Sequence, residues 1–272
     1  MCTLLFAHRA HPEHRLVIAA NRDEFYNRPT RPAGFWDDAP SVCAGRDLKA
    51  GGTWLGITRT GRWSGLTNVR EPGVTRRAQR SRGSLVRDFL CGDMTPEAYA
   101  RAVAGSGAAY DGFNLLVGGP DSVWYVSNRA DGAREVTPGV HGVSNHLLDT
   151  PWPKVEHGKQ LLARALTAEA SAEASAEVST AKASTLDRDG LLAGLANDQF
   201  FPDDQLPDTG VGIVWERQLS PLFIATPVYG TRCSTVIAVH RSGSVSLTER
   251  TVAPLAAGQT PSVVEHRFQL AV

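Results

Sequence analysis

Two apolar runs near the start of the chain decide its architecture: Thr3-Leu4-Leu5-Phe6-Ala7 and Leu16-Val17-Ile18-Ala19-Ala20, separated by the polar stretch His8 to Arg15. They read as the two strands of a hairpin. Consecutive apolar residues make both faces of each strand apolar, with Leu4 and Phe6 on one side and Leu5 and Ala7 on the other. Such strands need cover on both sides, so the hairpin belongs inside a layered structure. The pairing also has a register. With strand centres near Leu5 and Ile18, paired positions sum to about 23, within a residue or two. Cys2 then stands opposite Asn21 or Arg22, and Asn21-Arg22-Asp23-Glu24 arrives beside the first cysteine.

Further along, Thr53 to Thr58 and Arg62 to Asn68 flank a Thr60-Gly61 turn, and Phe113 to Gly118 and Ser122 to Ser127 flank Gly119-Pro120-Asp121. Leu222 to Thr226, Thr231 to His240 and Ser244 to Thr251 read as a meander. Helices are expected over Ser84 to Cys91, from Thr95-Pro96-Glu97 onward with Thr95 as N-cap and Pro96 at N1, over Pro153 to Leu166, and over Leu186 to Leu195. Strand groups with helices between them indicate layered α+β, not alternating βαβ. No boundary for a second domain is visible, so residues 1–272 read as a single domain. Ala165 to Ser184, with its Ala-Ser-Ala-Glu repeats, reads as a low-complexity insertion.

The 272 residues are 42% hydrophobic and 21% charged, and 28 Lys+Arg balance 28 Asp+Glu. That balance removes the broad basic footprint of a nucleic-acid binder. No apolar run approaches the roughly 20 residues that span a bilayer. Cys2, Cys43, Cys91 and Cys233 form no CxxC pair, so neither a disulfide framework nor a zinc site is expected. With no signal-peptide pattern at the start, a reducing, cytoplasmic setting with free thiols is expected.

Cys2 directly follows Met1. Cysteine is small enough to permit removal of Met1, which leaves a thiol carrying its own α-amine. Such an amine titrates near about 8 and can act as a base, a known way to activate a nucleophile. On the hairpin register, Arg22 is placed to favour the thiolate and Asp23 to orient the α-ammonium. Cys2 is therefore expected to be the most reactive thiol. Adjacent strand residues point to opposite faces, so Arg22 and Asp23 reach one thiol together only if the strand kinks or ends there.

Met1-Cys2-Thr3, Asn21-Arg22-Asp23-Glu24, Gly51-Gly52-Thr53-Trp54-Leu55-Gly56, Leu66-Thr67-Asn68-Val69-Arg70, Gly142-Val143-Ser144-Asn145, Pro151-Trp152-Pro153-Lys154-Val155 and Tyr229-Gly230-Thr231-Arg232 together resemble the NRDE family, also called the transport and Golgi organisation protein 2 family. The matches run in order over nearly the whole chain, and Ala165 to Ser184 lies outside them. The resemblance implies an N-terminal-nucleophile (Ntn) hydrolase-like fold: a four-layer αββα sandwich of two stacked antiparallel sheets, akin to the choloylglycine and penicillin V acylases. Residue by residue it implies catalytic roles for Cys2, Arg22, Asp23, Asn68, Asn145 and Arg232, with Asn68 and Asn145 as oxyanion donors. This chain departs from the acylases in making Arg22 and Asp23 adjacent. Asn21, Glu24, Trp54, Arg70 and Asn114 are the accompanying candidate substrate contacts. The implied activity is hydrolysis or acyl transfer at a linear amide of a small molecule, anionic or hydrophobic, without cofactor or metal. The family's association with haem trafficking and lipid metabolism implies the alternative, a non-catalytic carrier of haem or a lipid-like ligand.

His8, His11 and His14 suit neither one helix face nor one strand face, and Pro12 interrupts them. A solvated hairpin loop is expected in preference to a metal or haem ligand set. Arg70, Arg76, Arg77, Arg80, Arg82 and Arg87 concentrate positive charge that would steer an anionic ligand, but a solvated face is the commoner use of such a run. Gly51-Gly52 permits close backbone approach, yet no helix follows, so it is not a nucleotide loop. The six tryptophans are widely spaced and belong mostly to core or pocket wall.

Overall fold

The computed structural model describes residues 2–73, 78–167, 186–252 and 262–271. At its centre is the expected hairpin. β1 (Cys2–His8) and β2 (His14–Phe25) pair antiparallel with Cys2 opposite Arg22, Leu4 opposite Ala20 and Phe6 opposite Ile18. A six-stranded sheet surrounds it in the order β10 (Gly139–Val143), β1, β2, β11 (Tyr229–His240), β12 (Ser244–Thr251), β13 (Ser262–Gln269). A seven-stranded meander forms the second sheet in chain order: β3 (Thr30–Phe35), β4 (Val42–Asp47), β5 (Leu55–Thr58), β6 (Trp63–Asn68), β7 (Phe113–Gly118), β8 (Val123–Ser127) and β9 (Ala133–Glu135).

Strand alternation sorts the core into layers. Leu4, Phe6 and Ile18 face the second sheet and pack with Leu55, Ile57, Trp63 and Leu116. Leu5, Val17 and Ala19 face the other way, against Leu162 and Leu166 of α3 (Pro153–Thr167) and Leu191 of α4 (Arg188–Gly194). On the far side of the second sheet, Leu85, Val86 and Phe89 of α1 (Gly83–Cys91) and Val103 of α2 (Pro96–Ser106) cover Leu115, Val117 and Val126. The result is the four-layer αββα sandwich with two antiparallel sheets that the sequence predicts. Each such side chain contributes about 1.5–3 kcal/mol on burial. α3 lies so close to β1 that a Cβ on Gly158 would stand 2.6 Å from a Leu5 methyl carbon. The α2 start is as read, with Thr95 accepting from the Ala98 N–H at 3.2 Å ahead of Pro96.

Several elements differ from the sequence reading. Leu222 to Thr226 joins no ladder and makes only the isolated bridge Ala225–Gly230, because it turns directly into β11. β3, β9, β10 and β13 are the edge strands of the two sheets, short, glycine- or proline-bearing, or polar on one face, so none gives an apolar run. α3 continues to Thr167 with Ala165 and Leu166 buried, which moves the start of the Ala/Ser/Glu stretch; its residues 168–184 lie outside those described. The hairpin loop exposes Arg9, Ala10 and Pro12 but not all of its histidines. His8 and His11 are buried, and His11 Nδ1 accepts the N–H groups of Glu13 at 3.1 Å and His14 at 3.2 Å, so the ring closes the hairpin turn. Five tryptophans are buried and Trp215 is exposed. Among the described residues no helix is long and apolar enough to cross a membrane.

Of the Gly51-Gly52 pair, Gly52 makes the close backbone approach that the sequence allows. A Cβ on Gly52 would lie 2.5 Å from the Gly83 carbonyl at the start of α1, whereas Gly51, at φ +71°, has nothing within 4 Å. Backbone cannot yield as a side-chain tip can. Gly52→Ala is therefore expected to cost about 1–3 kcal/mol, and Gly51→Asn less than about 1 kcal/mol because asparagine tolerates the left-handed region. Denaturant titration of both variants against the parent measures this.

Candidate functional site

The Cys2–Arg22 pairing puts both side chains on the inner face of the six-stranded sheet, at its open end. On the other side of β2 the β11 register slips: Thr231 pairs with Asp23 and Cys233 with Arg22, so Arg232 is an extra, bulged residue. Here the two sheets part around a cavity of about 320 Å³. Cys2, Arg22, Asn68, Trp54, Arg82 and Arg232 are among the residues that wall it, with Glu24 and Asp23.

The cavity is electropositive. Of its arginines, Arg28 is neutralised by Asp47 at 2.6 Å and Arg46 by Asp38 at 2.6 Å. Arg22, Arg82 and Arg232 have no carboxylate within salt-bridge distance among the described residues. Arg82 donates to the Gly112 carbonyl at 3.1 Å. Arg232 Nη1 clasps the carbonyls of Phe25, Tyr26 and Arg28 at 2.9, 2.9 and 3.1 Å and so fixes the exit of β2. The Arg22 guanidinium, in a residue only 9% exposed, has no hydrogen-bond partner among the described residues. Glu249 also reaches the wall, but it is committed elsewhere. It accepts the Ala33 N–H at 2.8 Å, which ties β12 to β3 of the opposite sheet, and meets the Cys233 thiol. Burial pushes its carboxyl above the usual range.

Asp23 sits beside Arg22 on a strand that neither kinks nor ends, and its carboxylate turns to the helix side. Oδ1 accepts the Thr231 hydroxyl at 2.8 Å, and Thr231 Oγ1 accepts the Ile224 N–H at 2.9 Å. Only its backbone serves the inner face, where the Asp23 N–H donates to the Cys2 thiol. Burial pushes the Asp23 carboxyl up, against the opposing pull of the terminal ammonium, Lys154, the Thr231 bond and Arg22. Burial likewise pushes the Cys2 thiol up. The terminal ammonium pulls it down, and so does Arg22, as expected of Arg22, but they do not outweigh desolvation.

Four anticipated site residues are not in the cavity wall. Asn145, fully buried, spends its amide on the Asn68 carbonyl at 3.1 Å, so it positions Asn68 instead of facing the cavity. Asn21 donates to the carbonyls of Leu195 and Leu222, both at 2.8 Å, on the helix side. Asn114 donates to Thr67 at 3.0 Å and His146 O at 2.8 Å and accepts from Tyr125 at 2.7 Å. Arg70 is buried in an ion pair with Glu216 of α5 (Ile213–Gln218). The arginine run is thus no single solvated face: Arg70 is internal, Arg82 enters the cavity, and Arg76 and Arg77 lie outside the described residues. Asn68 does line the cavity, and its side-chain amide has no partner among the described residues. Thr231, Lys154, Cys233 and Glu249 were not foreseen as site residues. Only Lys154 and Thr231 lay within a quoted motif.

The family model for Transport and Golgi organisation 2 matches residues 1–254. The chain belongs to this family. The Transport and Golgi organization protein 2 homolog of Bos taurus is 38% identical over 99% of this chain and 99% of that one. The Homo sapiens homolog is 35% identical over 93% of each, and the Drosophila melanogaster protein 29% identical over 94% and 93%. Among solved structures, the chain is similar to a Caenorhabditis elegans N-acylethanolamine-hydrolyzing acid amidase ortholog, with a TM-score of 0.47, 13% identity, and coverage of 87% and 92%. A mutant conjugated bile acid hydrolase from Clostridium perfringens gives a TM-score of 0.41, 8% identity, and coverage of 97% and 92%. Both superpose too loosely to assign a residue role in this family member.

Thiol accessibility differs from the expectation. Cys91 is the exposed cysteine, while Cys2, Cys43 and Cys233 are buried, with burial pushing Cys43 to about 12. Limiting iodoacetamide near pH 7.5 is expected to label Cys91 first. In Cys91→Ser the label should pass to Cys2, at a rate still rising above pH 9 because burial disfavours the thiolate. Peptide mapping across pH checks both statements, and a plateau below pH 8 would contradict the burial argument.

Proposed function

We propose that the chain is an N-terminal cysteine amidase for a small amide that carries an anionic group. The observation that supports this most is the placement of Cys2 at the wall of an arginine-lined cavity, opposite an Arg22 that is buried and uncommitted. After Met1 is removed, the Cys2 sulfur attacks the amide carbonyl and its proton passes to the Cys2 α-amine. The negative charge that develops on the carbonyl oxygen is met by the uncommitted side-chain amide of Asn68. The C–N bond breaks, the departing amine takes the proton held on the α-ammonium, and water hydrolyses the thioester to release the acid and restore the thiol. Arg22 and Arg82 hold the anionic group of the substrate, since neither has a carboxylate of its own to satisfy it.

Intact mass and turnover test the reading together. The purified chain should have lost Met1, and it should release nitroaniline from the p-nitroanilide of a dicarboxylic half-acid. Cys2→Ala should abolish release. Asn68→Ala should lower kcat by about 10²–10³, the usual loss for one oxyanion donor. Arg82→Met should raise KM while leaving kcat nearly unchanged. A mature chain that retains Met1 overturns the amidase reading and leaves the haem or lipid carrier.

A further inference from the structure

A charged cluster at the edge of the six-stranded sheet takes no direct part in this reaction. There β10 runs beside β1, with His141 opposite Phe6 and Gly142 opposite Leu5. The partly buried His141 ring stacks on Phe6, 5.2 Å between centroids. Both of its nitrogens face acceptors: Nδ1 meets Asp149 Oδ2 at 2.7 Å, and Nε2 meets the Thr137 carbonyl at 2.9 Å. A carboxylate and a carbonyl can only accept, and a neutral imidazole has one N–H. The ring that satisfies both partners is the imidazolium.

Asp149 turns that charge into a clamp. Its backbone lies in the left-handed region at φ +61°, where a residue other than glycine needs support. The support is a reciprocal pair: the Asp149 N–H donates to the Gly142 carbonyl at 2.8 Å, and Oδ1 accepts the Gly142 N–H at 2.9 Å. This pair closes the two ends of the turn from Gly142 to Asp149. Inside the turn, Ser144 and Asn145 are buried and reach the Cys2 site. The Ser144 hydroxyl shares its proton between the Cys2 carbonyl and the Asn145 side-chain oxygen, both at 3.2 Å. Asn145 donates to the Asn68 carbonyl at 3.1 Å, and its own carbonyl accepts the Arg70 N–H at 2.8 Å. Asn114 fixes the middle of the turn at the His146 carbonyl, which leaves its ends to Asp149.

We propose that His141, as the imidazolium, is a positioning residue of the Cys2 site: it pins the Asp149 carboxylate, and through the turn that Asp149 closes it holds the Cys2 and Asn68 carbonyls in place. The proposal rests on Cys2 as the nucleophile and Asn68 as the oxyanion donor. Other charges face the clamp from two elements. α3 brings Lys159, 3.6 Å from Asp149 Oδ1 but shared with Glu156 at 3.1 Å, so His141 is the nearer cation. β1 brings His8, which burial lowers to about 4 and so keeps neutral. The bond to Asp149 raises His141 above the usual 6.5, against burial. Burial pushes Asp149 up, but the bonds from His141 and Gly142 and the charge of Lys159 hold it below the usual carboxylate range. His141 thus keeps its proton in the fold where an unfolded chain has lost it. The stability the clamp supplies is complete below about 6.5 and is lost as the pH rises through the higher midpoint of His141.

The test uses the full chain and reads amide hydrogen exchange at Arg70, whose N–H is held by Asn145, beside the ring NMR titration of His141. The His141 midpoint should lie above 6.5, and the Arg70 protection factor should fall about tenfold as the pH passes that midpoint. A midpoint below 6.5, or protection that stays flat through it, overturns the proposal with no substitution made. His141→Gln should show the low protection at every pH. His141→Arg, which keeps a cation with several donors, should hold the high protection without a step. At pH 6, His141→Gln should lower kcat about tenfold with KM within about twofold, and His141→Arg should restore kcat. A kcat in His141→Gln equal to that of the parent overturns the positioning role. Exchange and titration need no turnover, so failure of the parent to release nitroaniline with the Arg70 step present removes the amidase reading alone.

Discussion

The pairing of Cys2 with Arg22 is the constraint from which the site follows, and the core enforces it from both faces. Side chains alternate along a strand, so a slip of one residue would exchange every inward and outward position. Leu4, Phe6 and Ile18 would then turn toward the helices, and Leu5 would leave the place that Gly158 keeps open for it. Each misplaced side chain forfeits about 1.5–3 kcal/mol, which no local preference at the strand ends could offset. The reactive end of the hairpin is thus held in register by apolar residues that never touch a ligand.

One strand must then serve two faces. Arg22 looks inward to the cavity, and Asp23 looks outward to Thr231. The sequence argument required a kink in β2 for both residues to act on one thiol. The irregularity lies instead in the neighbouring strand, where the bulge at Arg232 lets Thr231 and Cys233 face successive residues of β2. β2 stays straight, and Asp23 reaches the thiol through its backbone N–H while its carboxylate bonds Thr231. An acid and an arginine that are adjacent in sequence can therefore belong to one site without sharing a face.

What was legible in the sequence had a periodic or local signal. The double-faced apolar hairpin, the Thr95-Pro96 helix start and the Cys2 register rest on neighbours within a few residues, and all appear as read. The site residues that went astray share a different physics. An asparagine at a strand end looks the same whether its amide faces a cavity, as at Asn68, or a carbonyl supplied by a distant segment, as at Asn145 and Asn114. Arg70 belongs by sequence to a basic run, yet its partner Glu216 comes from a short helix far along the chain. Lys154, in the first turn of a helix, carries no mark that distinguishes a buried ammonium from a solvated one. Partner choice across long sequence separations is decided by packing, and packing is not written in any single window.

The distribution of apolar and charged groups along the sandwich completes the logic. Phe6, Trp63 and Ile57 close one stretch of the space between the sheets, whereas at the Cys2 end the sheets are joined by the Ala33 N–H on Glu249 and propped by arginines. Burial pushes the Glu249 carboxyl up, against the pull of the Ala33 N–H, Cys233, Thr235 and Arg22, as it links the sheets. The cavity keeps its positive potential because the six arginines of its wall outnumber its four acids, of which Glu249 is engaged by the Ala33 N–H and Asp23 by Thr231. Repulsion between Arg22 and Arg232 is a standing cost to the fold, tolerable because the packed end supplies the stability. On the proposed function an anionic substrate would relieve it, and the energy that burial withholds from the site would become binding energy.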